Sequence, residues 1–469
     1  MSLVAAERIE AVRSALVGTE AWLVGGVVRD RELGRPLTDL DLVTASDVER
    51  SARALASEVG AAVFPLSDEF GGWRVVPREG GWQVDLSPLA DGGIEADMAR
   101  RDFTVNALAE PLQGGETLDL HGGLHDLRAG VLRAVGPLSF ASDPLRVVRL
   151  ARLGCELGFE ATPDTLGLAR ESADGLANVA GERILGELVK LLSAADPVRG
   201  VRLMHECGAM AGAVPELLEL EGVEQSSYHH LDVWEHTLAV LQAVVDIQAD
   251  PSALGAAGND ACSVLEAPLA DGMTRWQGLR LGALLHDVAK ARTKVVWDGG
   301  RIGFPGHDEE GAAMAVVIVD RLRGSGRLRD AMAALVRNHL VAGFMTHDMP
   351  LEPRSVHHYL RRCGDTAVDV TVLSVADRLA TRGRKSDEAI ARHLEVTAEL
   401  LAAAVKWEAE GPPEPLVRGD DLAAELGIEP GPQLGPLLDE LEAAAWAGEV
   451  STREEAIEHS RRHLERGDG

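Results

Sequence analysis

Cysteine is scarce in this chain. Its four residues, Cys155, Cys207, Cys262 and Cys363, are widely separated and form no CxxC pair. Neither a zinc knuckle nor a dense disulfide framework is supported, and the thiols read as reduced and buried. Basic charge is also in short supply: 46 Lys and Arg stand against 75 Asp and Glu, a formal net charge of −29. That balance excludes a broadly basic coat for nucleic acid, so any polyanionic partner must be held by local arginine clusters against the global field. An uncharged apolar run of about 18 residues is absent, which argues against a membrane span. The opening segment carries Glu7, Arg8, Glu10 and Arg13 where a signal peptide would need its apolar stretch. A cytoplasmic location is therefore expected. No repeat at a spacing of about 20–50 residues is visible, so a solenoid is not supported.

What remains is an ordinary globular composition, 46% hydrophobic and 26% charged over 469 residues, long enough for about three domains at roughly 150 residues each. Residues 4–17 have the spacing of a short amphipathic helix. AWLVGG then reads as a strand ending in a tight turn, and VVRDRELG resumes helical spacing. TDLDLVT alternates, a helix is expected at about 47–59, and AAVFPL, WRVVP and WQVDLSPL read as short strands. From about residue 140 strand signals nearly vanish and Ala/Leu/Arg-rich helical patterns run to the end, broken at Pro197, at 249–275 and at GPPEP near 411–415. The segment 249–272, rich in Gly, Ala and Asp without a sustained period, reads as a surface insertion. The fold class expected is α+β: a head with a small mixed sheet, followed by an all-helical body.

Asp39 and Asp41 stand at i and i+2, which on a strand puts both carboxylates on one face. Two neighbouring carboxylates suit a hard cation such as Mg²⁺. A glycine turn opening a helix, here Gly25 and Gly26, offers backbone N–H groups to phosphate oxygens. Downstream, Asp143, Arg146, Arg149 and Arg152 recur at a spacing of three and are expected to share one side of a helix. A second constellation lies in the middle of the chain, in SSYHHLDVWEH (226–236), LLHDVAK (284–290), PGHDEEG (305–311) and VADRLA (375–380). There His236, His286, Asp287 and Asp377 form a nitrogen–oxygen set suited to Mg²⁺, Mn²⁺, Ni²⁺ or Fe rather than tetrahedral zinc.

GGVVRD at 25–30, PLTDLDL at 36–42, ARRDFTVNALA at 99–109 and DPLRVVRLAR at 143–152 together resemble the head and neck of class II tRNA nucleotidyltransferases, the family of CCA-adding enzymes and bacterial poly(A) polymerases. The resemblance implies template-independent transfer of nucleotides from CTP and ATP to the 3′ end of tRNA. It assigns Mg²⁺ to Asp39 and Asp41. Triphosphate and ribose contacts fall to Gly25, Gly26, Arg29, Arg101, Asp102 and Asn106, and base selection to Asp143 and Arg146, braced by Arg149 and Arg152. Asp85 is a candidate third carboxylate. Two departures stand out: Ser142 occupies a position where the family commonly has Glu, and SPLADGG follows Asp85 where the family tends to place an Arg. Whether CCA, CC alone, A alone or poly(A) is added is therefore left open.

The H…HD…D order resembles the HD phosphohydrolase superfamily, which implies His307 and His339 as ligands of a second ion, Lys290 as a phosphate contact, and an accessory phosphohydrolase activity. An alternative follows, an HD-type metal phosphohydrolase with a nucleotide-binding head. The expected organisation is a head at 1–140, a helical neck with the base-selecting helix at 141–225, an HD-type domain at 226–385, and a helical tail at 386–469 whose GIEPGPQLG turn is a candidate tRNA contact. GERILGELVKLL at 181–192 is expected to be a structural helix. Oligomeric state is not legible.

Overall fold

The computed structural model describes residues 3–67, 71–78, 80–225, 230–382, 386–429, 431–432 and 434–465. The chain divides into two compact units, Met1–Val179 with Arg199–Ala213, and Ala180–Val198 with Val214–Gly469.

The first unit begins with α1 (Leu3–Ala15), β1 (Ala21–Val24), α2 (Gly26–Glu32), β2 (Asp39–Thr44), α3 (Val48–Val59), β3 (Ala61–Ser67), β4 (Gly72–Pro77), β5 (Gln83–Pro88), α4 (Gly93–Ala99) and β6 (Ala109–Pro111). The strands form one sheet in the order β3-β4-β5-β2-β1-β6. β2 and β5 run parallel and the other neighbours antiparallel. The alternation in DLDLVT does what period two requires: Leu40 and Leu42 are buried, while Asp39 and Asp41 point to the opposite face. α3 starts where the Asp47 carboxylate accepts from the Arg50 N–H and stops at Gly60, which is left-handed at φ 64°. Its buried residues, Ser51, Ala52, Leu55 and Ala56, occupy one face.

α5 (Gly123–Ala129), α6 (Ser139–Ser142), α7 (Leu145–Leu157) and α8 (Pro163–Ser172) complete the first stretch. The short strands β7 (Val131–Leu132) and β8 (Glu160–Ala161) pair in parallel. α7 buries Leu145, Val147, Val148, Leu150, Ala151 and Leu153, leaving its arginines on the remaining arc. α9 (Gly181–Ser193) is the expected helix, with Leu191 and Leu192 buried. α10 (Pro197–Glu206) and α11 (Ala209–Ala213) follow.

The second unit is built on α12 (Val233–Ala249), α13 (Gly258–Leu265), α14 (Arg275–Leu285), α15 (Lys290–Thr293), α16 (His307–Arg321), α17 (Gly326–Asn338), α18 (Val341–Met345), α19 (Pro353–Cys363), α20 (Ala367–Ala380) and α21 (Ser386–Glu410). Segment 249–272 is not the aperiodic insertion expected. It forms a 3₁₀ turn at Pro251–Ala257, then α13, then a strand at Pro268–Ala270 paired with Met273–Thr274. Leu254, Ala261 and Leu265 are buried. Small residues hide the period because they pack by close approach: a Cβ on Gly258 would lie 2.7 Å from the Pro251 carbonyl. A second small hairpin, Val295–Val296 with Ile302–Gly303, also interrupts the helices.

The tail, α22 (Gly419–Leu426), α23 (Leu434–Trp446) and α24 (Arg453–Glu465), closes around Val417, Leu422, Leu437, Leu441, Ala456 and Ile457. Within the turn proposed from sequence as an RNA contact, Pro430 and Gln433 lie outside the described residues. So does His229 of the SSYHHLDVWEH segment.

Candidate active sites

In the head, β2 carries Asp39 at its exposed end and the more recessed Asp41 two residues on. Parallel pairing sets Asp41 in register with Asp85 of β5. Antiparallel pairing sets Asp85 against Arg74 of β4. Arg74 donates from Nε and Nη2 to the two Asp85 oxygens, both at 2.7 Å, so the candidate third carboxylate is bound in a bidentate ion pair. Asp41 has no such partner. Burial, reinforced by the negative charges of Asp85 and Asp39 and opposed by Arg101 and Arg29, pushes its carboxyl up to about 6. A pair of neighbouring carboxylates whose mutual repulsion the two arginines offset only in part is a donor set that a divalent cation fits.

Around this pair runs a continuous polar network. Arg29, buried on α2, donates from Nε and Nη2 to Asp30 at 2.9 and 2.8 Å and from Nη1 to the Asn106 side-chain oxygen at 2.7 Å. Asn106 in turn donates to Asp102 Oδ1 at 3.0 Å, which also accepts from the Phe103 N–H. Asp102 Oδ2 accepts from Arg149 of α7 at 3.3 Å. Burial alone would raise the Asp102 carboxyl; the Arg149 charge and the Asn106 and Phe103 hydrogen bonds outweigh it and hold the group below the ordinary carboxylate range. Arg101 is fixed by Asp97 at 2.8 and 3.1 Å, with Nη1 2.6 Å from where a Cβ on Gly25 would sit. Gly25 has φ 69° and ψ −126°, so glycine is required twice over. Its N–H is already bonded to the Leu108 carbonyl. Of the glycine pair, Gly26, at the first turn of α2, keeps an N–H with no intrahelical acceptor.

The arginine stripe differs from the expected helix face. Asp143 is extended, at φ −151°, and precedes α7 rather than lying on it, because Pro144 supplies the helix entry. Arg146 donates from Nη1 to the Ser139 carbonyl at 2.9 Å and from Nη2 to the Arg100 carbonyl at 2.7 Å. Its guanidinium plane is thereby fixed between the stretch before α7 and the Arg100–Arg101 corner. Arg152 pairs with Glu156 at 2.5 Å, and Arg35 donates to the same carboxylate at 3.2 Å. Arg149 thus reaches the Asp102 network through an observed bond, and Arg152 is tied one turn further along.

The second unit gathers six ligand-type side chains from five places. His236 comes from α12, His286 and Asp287 from the end of α14, His307 from the start of α16, His339 from the end of α17 and Asp377 from α20. They form two groups, each with donor atoms mutually within 4.8 Å: His236, His286 and Asp377, and Asp287, His307 and His339. The sequence expectation had placed Asp287 with the first group. It bridges both, with one oxygen 3.1 Å from His286 Nε2 and 3.6 Å from His236 Nε2, and the other 3.4 Å from His307 Nε2.

The imidazoles are oriented for this. Nδ1 of His286, His307 and His339 lies 2.8, 2.7 and 2.6 Å from the carbonyls of Ala283, Phe304 and Val336. A carbonyl only accepts, so Nδ1 carries the proton and Nε2 presents a lone pair. Those three Nε2 atoms are buried without hydrogen-bond partners. That arrangement is costly unless an ion takes the lone pairs, and it fits a divalent metal. Burial pushes His339 down to about 4, so it is neutral near pH 7. Against its burial, the neighbouring imidazole of His286 and the Lys290 ammonium hold Asp287 well below the ordinary range. Lys290 lies 2.6 Å from Asp287 and donates to Gln225 at 2.8 Å.

Residues 21–80 and 78–133 match the Poly A polymerase head domain, 158–220 the probable RNA and SrmB- binding site of polymerase A, and 233–382 the HD domain. The A-adding tRNA nucleotidyltransferase of Deinococcus radiodurans is 36% identical over 442 residues, spanning 93% of this chain and 94% of that protein. The chain belongs to the tRNA nucleotidyltransferase family. Another relative, the CC-adding tRNA nucleotidyltransferase of Thermus thermophilus, is 35% identical over 93% of this chain and 92% of its own length. The fold of this nucleotidyltransferase is that of a Thermotoga maritima CCA-adding enzyme solved with tRNA, at TM-score 0.60 and 19% identity over 99% and 96% of the two chains. It is also that of a CCA-adding enzyme solved with ATP, at TM-score 0.65 and 18% identity over the same shares. Among the described residues no helix is long and apolar enough to cross a membrane.

Sequence reasoning missed Arg74, whose pairing with Asp85 follows only from strand register. It also gave no role to Arg378, inside VADRLA, or to Arg392, which line a cavity beside the six ligands.

Proposed function

We propose that the head transfers cytidylate and adenylate residues to the 3′ end of tRNA without a template, building the CCA end from CTP and ATP. The reading is carried by the Asp39–Asp41 pair lying within electrostatic reach of Arg29 and Arg101, beside the Asp30–Arg29–Asn106–Asp102–Arg149 network. In the reaction the primer hydroxyl oxygen bonds to the α-phosphorus and loses its proton to solvent. The bond from that phosphorus to the oxygen bridging to the β-phosphate breaks, and pyrophosphate leaves. Asp39 and Asp41 hold Mg²⁺, which when bound neutralises triphosphate charge and makes the hydroxyl more acidic. Gly26, Arg29 and Arg101 meet the triphosphate. Asp102 and Asn106 position the ribose side, while Asp143 and Arg146 present acceptor and donor groups to the base edge. Arg146, anchored at two carbonyls, offers its donors from a rigid plane.

A narrower reading, addition of CC alone or A alone, rests on one observation: relatives matching more than nine-tenths of the chain are named A-adding and CC-adding. Incubating the protein with tRNA lacking one, two or three terminal nucleotides and each labelled triphosphate separates the two readings. Incorporation of C on the shortest primer and of A after CC supports full CCA addition. Absence of all incorporation defeats both.

The second unit is read as a metal-dependent phosphohydrolase, with His236, His286, Asp287, His307, His339 and Asp377 as ligands. Four imidazoles and two carboxylates favour Mn²⁺, Ni²⁺ or Fe over Mg²⁺, which prefers oxygen. The working division is head 1–140, neck 141–225, HD-type domain 226–385 and tail 386–469, in a cytoplasmic protein.

A further inference from the structure

The face of the head sheet that carries Asp39 and Asp41 continues well beyond them. Residues opposed on neighbouring strands share a face, and the register runs from Asp41 on β2 to Asp85 on β5, Arg74 on β4 and Phe64 on β3. Phe64 therefore lies three strands from Asp41, roughly 14 Å at a strand spacing of about 4.8 Å. β3 is an edge of the sheet, and its Phe64 and Leu66 are each 43% exposed. A Cβ on Gly72 of β4 would lie 3.6 Å from Ser87 Oγ and 3.8 Å from Leu66 Cβ, so Leu66 stands on this same face and the glycine keeps the ground beside it low. The opposite face is packed, with Leu40, Leu42, Val75, Val84 and Leu86 buried. Among the described residues of the six strands, Phe64 and Leu66 are the large apolar side chains left exposed.

The groups assigned to the triphosphate lie on the other flank of β2. Gly25 and Gly26 follow β1, Arg29 is on α2, and the Arg101 guanidinium sits against Gly25. In-line displacement brings the attacking hydroxyl from the side away from the leaving pyrophosphate, so the primer end comes over β5, β4 and β3. Beside two carboxylates, an apolar shelf suits an uncharged base face better than a phosphate. Aromatic rings and guanidinium planes are the surfaces on which single-stranded bases stack, and Arg74 is held beside Phe64 by both oxygens of Asp85. Pro65 removes an N–H from β3, which counts against a protein strand adding to this edge. We propose that Phe64, flanked by Arg74, stacks the 3′-terminal base of the RNA primer and so directs the primer hydroxyl toward Asp39 and Asp41. The proposal rests on the nucleotide-transfer reading of the head, and names a contact that holds its second substrate.

The test uses the full chain with CTP, ATP and two primers, tRNA lacking all three terminal nucleotides and tRNA ending in CC, each also made with an abasic 3′-terminal nucleotide. Wild type is compared with Phe64→Ala, Phe64→Leu and Phe64→Tyr, thermal midpoints confirming that each variant folds. On a base-bearing primer that wild type extends, Phe64→Ala is expected to lower kcat/KM for tRNA about tenfold, the scale of one base–aromatic stack, with KM for the triphosphate unchanged within about twofold. Phe64→Leu, apolar without a ring, should lose nearly as much, and Phe64→Tyr should stay within about twofold of wild type. On the abasic form of that primer, wild type and Phe64→Ala should agree within about twofold, because the contact is already gone. An equal loss for Phe64→Ala on both forms marks a structural role and overturns the proposal, as does activity of Phe64→Ala within about twofold of wild type on both. If wild type extends no primer with either triphosphate, the nucleotide-transfer reading fails, and the Kd values of the two primer forms judge the shelf. A preference for the base-bearing form that Phe64→Ala removes then upholds the stack, and equal Kd values overturn it.

Discussion

Asp41 and Asp85 face each other in register across the parallel β2–β5 pair, yet Asp85 gives both oxygens to Arg74 whereas Asp41 accepts from no donor among the described residues. Two in-register aspartates therefore have different work, and replacing each by Asn should distinguish them. Asp41→Asn removes a cation ligand and is expected to lower kcat for nucleotide addition on the order of 10³-fold, the loss of several kcal/mol of charge stabilisation. Asp39→Ala should do the same. Asp85→Asn should leave kcat within about tenfold and lower stability by about 1 kcal/mol, the scale of a partly exposed ion pair. Single-turnover incorporation of labelled CTP and a denaturant melt separate the cases. Equal loss for Asp41 and Asp85 variants would return Asp85 to the metal set.

The Arg29–Asn106–Asp102 relay makes a second prediction. Asn106→Ala leaves Arg29 Nη1 and Asp102 Oδ1 each short of one buried partner, a cost of about 1–3 kcal/mol. Since these groups orient the triphosphate and ribose side, the effect should fall on KM for the nucleotide, raised about tenfold or more, together with a lowered thermal midpoint. Steady-state kinetics with CTP decides the matter, and an unchanged KM would make the relay purely structural.

Gly25 is the position where backbone and side chain agree on one residue. At φ 69° and ψ −126° an alanine is strained by about 1–3 kcal/mol, and its Cβ would displace the Arg101 guanidinium 2.6 Å away. Gly25→Ala should reduce addition by about 10²-fold, the scale expected when a positioned charge shifts by an ångström. Gly18→Ala supplies the control: it is also left-handed, at φ 76°, but has nothing within 4 Å of its would-be Cβ. It should cost a similar increment of stability and leave addition intact.

The metal cluster was legible because its ligand types recur in a fixed order along the chain, and the head because four motifs occur in sequence. What the chain did not show arises from register and approach. The Arg74–Asp85 pair needs two strand pairings at once. Asp143 leaves the α7 stripe because Pro144 starts the helix, a local rule that the spacing of three overrode. Segment 249–272 hid a helix because its glycines and alanines bury by contact rather than by periodic large side chains.

The Nε2 lone pairs of His286, His307 and His339 give a metal-removal prediction. Chelation should lower the thermal midpoint and added Mn²⁺ or Ni²⁺ should restore it, since a ligand at one hundred times its Kd stabilises by about 2.7 kcal/mol. In His339→Ala the shift should shrink sharply while Asp39→Ala retains it. A midpoint indifferent to chelator in wild type, with metal analysis showing an apo protein throughout, would defeat the two-group site.

The tail offers a pH test independent of any metal. Arg354 of α19 donates to Glu440 of α23 and to Glu449 just beyond it, at 2.8 Å and at 2.7 Å for each of two bonds. Burial would raise the Glu440 carboxyl, but hydrogen bonds from His459 and Arg354 prevail and lower it. The Arg354 hydrogen bonds lower Glu449 outright. A carboxyl lowered in the folded state contributes stability that is fully present above its unfolded value, near 4.5 for glutamate, and is lost as pH falls through the folded value. Wild type should therefore exceed Arg354→Met in thermal midpoint at pH 7, with the gap steady down to about pH 5. Below that the gap should close as both carboxyls protonate, and sodium chloride should narrow it at neutral pH, because the pairs are partly exposed. A gap that keeps its size into acid would mean that Arg354 acts through the packing of its aliphatic stem rather than its charge.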